Sequence, residues 1–107
     1  MLKDKKCQPC EGGVVPLNSE KARELLKELN QWVLVDNKRI EKVFSFNNFK
    51  EALAFVNKVG ELAEVEGHHP GISLFSWNKV KIVTSTHAIK GLSENDFILA
   101  SKIDFLH

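Results

Sequence analysis

From Asn18 onward the apolar residues follow two rhythms, recurring three to four residues apart in some stretches and at every second residue in others. With Asn18 or Ser19 as N-cap, Ala22, Leu25, Leu26 and Leu29 form a stripe between Lys, Arg and Glu, which predicts an amphipathic first helix. Trp32 to Val35 and Ile40 to Phe46 are β-rich runs separated by Asp36-Asn37-Lys38. They predict a hairpin with Ile40, Phe44 and Phe46 on one face. After Asn47, a second stripe of Phe49, Ala52, Leu53, Val56, Gly60 and Ala63 predicts a helix that Gly67 ends in the left-handed conformation. Ile72 to Trp77 and Val80 to His87 predict another hairpin, joined at Asn78-Lys79. Val80, Ile82, Thr84 and Thr86 share a face there, and His87 closes the strand. Ser93-Glu94-Asn95-Asp96 fits a capping box, and Leu92 with Phe97 fits the hydrophobic staple that starts a last helix.

This order, α-β-β-α-β-β-α, predicts an α+β domain over residues 17–107. A four-stranded antiparallel sheet carries three helices on one face and leaves the other face open. Trp32, Phe44, Phe46, Phe49 and Phe97 match core periodicities. Residues 1–16 mix Lys, Pro and Gly with scattered apolar positions and are expected to form an N-terminal arm with little structure. Its Cys7 and Cys10 are too close in sequence to staple distant parts of a fold. With no second pair in the chain, they are taken as an inert tail motif rather than half a zinc site or a redox pair.

Composition narrows the partners. With 15 basic and 14 acidic residues among 107, the formal charge of +1 provides no field to attract a phosphate backbone or an anionic membrane. The first residues lack the apolar core of a secretion signal and no apolar run is long enough to span a bilayer, so a cytoplasmic location is expected.

The candidate chemistry lies at element boundaries. His68-His69-Pro70 follows the second helix, and Thr86-His87 ends the second hairpin. Imidazole titrates near ~6.5, so a cluster of such rings both donates and accepts protons at neutral pH. Gly67 permits a tight turn before His68, while Pro70 biases His69 toward extended backbone, which holds the pair on a short, stiff connection. Glu64 lies one helical turn before His68 and is placed to hydrogen-bond a ring nitrogen. Three imidazoles and a carboxylate also suit zinc. Adjacent side chains in extended backbone diverge, however, which disfavours His68 and His69 as ligands of one ion. The chain has no tyrosine and no serine in a nucleophile elbow, leaving imidazole and carboxylate as the proton-transfer groups. His107 is expected to be a solvated terminal residue.

Glu64-x-x-x-His68-His69-Pro70, Trp77-Asn78-Lys79-Val80, Thr86-His87, Gly91-Leu92-Ser93 and Asp96 to Asp104, in this order, resemble the pterin-4a-carbinolamine dehydratases over about Leu17 to Ile103. The resemblance implies the same α+β fold and the dehydration of 4a-hydroxytetrahydropterin to quinonoid dihydropterin. That step recycles the cofactor of aromatic amino acid hydroxylases, so a functional link to such a hydroxylase is implied. No metal or organic cofactor is implied, because the pterin is the substrate. Carried over, His68 and His87 would be the proton-transfer groups on either side of the pterin, His69 would bind and polarise it, and Glu64 would orient the histidines. Pro70, Thr86, Ala88 and Ile89 would add backbone or walls. The resemblance also implies a homodimer or homotetramer and, as the alternative role, a dimerisation cofactor of a transcription factor. Against the family spacing there is one extra residue between Pro70 and His87, expected as a β-bulge near Leu74 or Phe75.

Overall fold

In the computed structural model, which describes residues 1–8 and 15–107, seven main elements follow one another. They are α1 (Ser19–Leu26), β1 (Val33–Val35), β2 (Arg39–Ser45), α2 (Phe49–Glu66), β3 (Gly71–Phe75), β4 (Lys79–Thr84) and α3 (Glu94–Asp104). Single 3-10 turns lie at Leu2–Asp4 and His87–Ile89. The four strands form one antiparallel sheet, as the sequence predicts, and their order across it is β1-β2-β4-β3. Its centre joins the two hairpins, with β2 and β4 paired from Ile40↔Thr84 to Ser45↔Lys79.

Alternation along these strands produces one buried and one open face. Ile40, Phe44, Val80, Ile82 and Thr84 are at most 2% exposed, whereas Val33, Val43 and Phe75 on the other face lie open. Lys42 shares the buried row, and its ammonium is matched by Asp104 at the end of α3, 2.8 Å away, which also accepts from the Trp32 indole at 3.0 Å. These contacts lock the last helix across the sheet.

The helix starts follow local chemistry. The Asn18 side chain accepts from the Lys21 amide and that of Asn48 from the Glu51 amide, both at 2.8 Å. In α2 the buried stripe is Ala52, Phe55, Val59 and Ala63; Phe49 is 51% and Leu53 44% exposed, so the expected stripe is displaced around the helix. Apolar residues occur on more than one side of α2, and periodicity alone does not choose which side meets the sheet.

The second hairpin turns one step earlier than expected, through Ser76-Trp77-Asn78. Ser76 and Trp77 adopt left-handed backbone (φ 47° and 54°), as Asp36 and Asn37 do in the first hairpin (φ 52° and 53°). Asp and Asn advertise that conformation, but Ser-Trp does not. Here a contact from β2 holds the turn, with the Phe46 amide donating to the Asn78 carbonyl at 2.9 Å and the Asn78 carboxamide donating back at 3.0 Å. Pairing from Gly71↔Val83 to Phe75↔Lys79 is unbroken, so the expected β-bulge is absent. Strand β4 ends at Thr84, and His87 opens the following 3-10 turn rather than closing the strand.

Within residues 1–8, which are mostly exposed, two points are anchored, Leu2 and Cys7. Leu2 is 2% exposed within the core, and the turn it begins packs on α3. Burying one such leucine is worth roughly 1.5–3 kcal/mol, enough to hold a short segment down. Cys10 lies outside the described residues.

Candidate active site

Two connections carry the three histidines of interest, and each is braced at its base. Gly67 ends α2 in the left-handed conformation (φ 66°), with its amide and that of His68 both donating to the Ala63 carbonyl, at 2.9 and 3.3 Å. His68 and His69 then leave the helix toward β3. On the other side, Thr86 and Gly91 form an isolated antiparallel bridge that closes a small loop beginning with His87. The Thr86 amide donates to the Gly91 carbonyl at 2.8 Å. Gly91 must be a glycine, because a Cβ there would stand 2.9 Å from the Pro16 ring.

Asp96 organises the site, although the sequence marked it as a capping residue and part of a family-like motif, with no role beside a histidine. Its carboxylate is fully buried and accepts from four groups. Oδ1 takes the Thr84 hydroxyl and His68 Nε2, both at 2.7 Å; Oδ2 takes the Thr86 hydroxyl at 2.7 Å and the Ser93 amide at 3.0 Å. Donors on every side demand an acceptor-only group, so His68 presents Nε2–H to Asp96 and leaves Nδ1 uncommitted. The legible signal was Thr84 and Thr86 on a core-facing row, since two buried hydroxyls require a buried polar partner.

Of the two adjacent histidines, Glu64 pairs with His69 rather than with His68 one helical turn away. It reaches His69 Nε2 at 2.5 Å, and the pair is largely exposed. His68, His69 and His87 nonetheless converge on one cleft of about 310 Å³, which Thr86 and Ala88 also line. That volume suits a small flat heterocycle. Pro70 and Ile89 do not line it, and Ile89 is buried. Gln8 and Asn95, which sequence reasoning passed over, do line it. His87 and Thr86 also border a second hollow of about 260 Å³ that carries Lys38, Arg39 and Lys90.

A separate hollow of about 360 Å³ lies beside Phe46, Phe55 and His107. His107 is exposed there, as expected, although its ring lies 5.1 Å from those of Phe44 and Phe46. That hollow holds a single imidazole, so chemistry rather than size favours the three-histidine cleft. Among the described residues, no three His, Cys, Asp or Glu side chains are grouped to hold a metal ion, and no helix is long and apolar enough to cross a membrane.

Comparison with known proteins shows the family. A family model described as pterin 4 alpha carbinolamine dehydratase matches residues 15–106. A relative from Rubrobacter xylanophilus, named "Putative pterin-4-alpha-carbinolamine dehydratase", is 49% identical over 98% of this chain and 97% of its own. One of the same name from Nitrosomonas eutropha is 52% identical over 98% of this chain and 92% of its own. A crystal structure from Brucella melitensis, called a transcriptional coactivator/pterin dehydratase, superposes with a TM-score of 0.79 at 29% identity, covering 85% of this chain and 97% of that one.

Proposed function

Because this chain belongs to the pterin 4 alpha carbinolamine dehydratase family, we propose that it removes water from a 4a-hydroxytetrahydropterin to give quinonoid dihydropterin. The observation that carries the proposal is the gathering of His68, His69 and His87 on one cleft, with His68 fixed by the buried Asp96. Loss of hydroxide from carbon 4a needs a proton delivered to the departing oxygen, while nitrogen 5 gives one up. His68 and His87 supply those two transfers from opposite walls. His68 Nδ1 is the nitrogen left for the substrate once Nε2 is committed to Asp96. His69, steadied by Glu64, binds and polarises the pterin, and Thr86 and Ala88 complete the walls. The balance is internal to the substrate, since the proton lost from nitrogen 5 offsets the one gained by the leaving water. No metal or organic cofactor is required. A cytoplasmic homo-oligomer serving pterin recycling accompanies this reading.

An assay of carbinolamine loss tests it. The wild type is expected to exceed the spontaneous rate, and His68→Ala and His87→Ala should each lower kcat by about 10²–10⁴-fold while circular dichroism stays native. A wild type no faster than the uncatalysed reaction sinks the proposal, and unchanged turnover in both variants removes these histidines from the mechanism. The name of the Brucella melitensis neighbour, which pairs coactivator with dehydratase, favours a second reading as a binding protein. Partner binding would then survive His68→Ala, whereas dehydration would not.

A further inference from the structure

We propose that the N-terminal segment supplies one wall of the pterin cleft through Gln8, and that Asn95 is the positioning residue that seats it. This rests on the dehydratase reading and adds to it residues that precede the stretch matched to the family, which begins at residue 15. Asn95 is 7% exposed in the first turn of α3 and grips the backbone of Gln8 from both sides. Its Nδ2 donates to the Gln8 carbonyl at 2.6 Å and its Oδ1 accepts from the Gln8 amide at 2.9 Å.

Cys7 is tied to both helix ends. Its amide donates to Glu66 Oε1 at 3.0 Å and its thiol donates to the Asn95 carbonyl at 3.5 Å. Lys102 holds the other Glu66 oxygen at 2.9 Å. Glu66 precedes the Gly67-His68 connection and Asn95 precedes Asp96, so residues 7 and 8 bridge the two places that set the His68–Asp96 pair. Without the segment, the buried Asn95 carboxamide would lose its partners and Glu66 would keep only Lys102, which holds the segment in place before any ligand arrives. Gln8 thereby lines the same cleft as the three histidines. Its side-chain amide donates to the Lys6 carbonyl at 3.4 Å, a long exposed contact that a ligand can replace, and a carboxamide both donates and accepts, as the pyrimidinone edge of a pterin requires. The Cys7 thiol, pushed up to about 12 by burial and then by the Glu66 carboxylate, stays protonated at neutral pH while seated.

Gln8→Pro removes the amide donor at an exposed position without touching the core, and Asn95→Ala removes the grip itself. Titration with 7,8-dihydrobiopterin, steady-state kinetics and the rate of Cys7 alkylation, separated from that of Cys10 by fragment masses, are measured together. In both variants Kd and KM should rise about five- to tenfold, the loss of one or two net hydrogen bonds, with kcat within about twofold and Cys7 alkylated faster. If Cys7 becomes reactive while Kd and KM hold at wild-type values, the segment is no part of the site. If Cys7 stays slow in both variants, Asn95 does not seat it. A wild type that neither binds nor dehydrates pterin refutes the dehydratase reading instead, and Cys7 alkylation still reports on the seating.

Discussion

His68 and His69 are neighbours in the chain, and each offers Nε2 to a carboxylate, yet the two pairs live in different media. His68 meets Asp96 at 2.7 Å with side chains 11% and 0% exposed, whereas His69 meets Glu64 at 2.5 Å with side chains 65% and 78% exposed. The shorter contact is the weaker one. Water competes for Glu64 and screens its charge, while Asp96 sits in low dielectric inside a fully satisfied set of donors, where each hydrogen bond strengthens the rest. Burial therefore separates a ring locked in one tautomer from a ring that water can reorient.

Exchanging the carboxylates one at a time tests that contrast. The largest effect is expected from Asp96→Asn, which turns an amide N–H toward groups that are already donors. It should cost about 3–5 kcal/mol in urea unfolding, as breaking a buried charged network does, and should lower turnover because His68 loses its fixed tautomer. Glu66→Gln comes next, because Glu66 is also buried but serves the N-terminal segment. Burial alone would raise its carboxyl, but the Cys7 amide and the Lys102 ammonium outweigh that and hold it below the ordinary 4.5. A carboxylate depressed in the folded state stabilises above 4.5 and loses that contribution as pH falls through its folded value. The variant should thus lose on the order of 1.5–3 kcal/mol at pH 7 and show a shallower fall in stability on acidification below pH 4.5, read from urea midpoints across pH. Glu64→Gln should change stability by only about 0–1 kcal/mol, less still in high salt. Equal costs at Asp96 and Glu64 would show that burial is not what distinguishes the two histidines.

Much of the fold was legible because its signals are local. Asn18, Gly67 and the Ser93–Asp96 box mark helix ends through partners three or four residues away, and alternation from Val80 to Thr86 names the face that the structure buries. Legibility failed where a partner came from far along the chain. The Ser76-Trp77 turn is held by Phe46, and the displaced stripe of α2 follows from where Phe55 meets Phe44, with ring centroids 4.8 Å apart. In the site, three clustered histidines pointed to one cleft, but their carboxylate partners were not readable. Glu64 was expected to orient the histidines without a choice between them, and nothing in the spacing paired Asp96 with His68, 28 residues away.

Sequence alone determined the element order, the helix ends and the gathering of imidazoles at element boundaries. These depend on backbone periodicity and on side chains within one turn of each other. Tertiary structure alone decided that His68 holds Asp96, which side of α2 is covered, and that Gln8 reaches the cleft. Each of these turns on two groups far apart in the chain meeting away from water, and their pairing has no trace in local spacing.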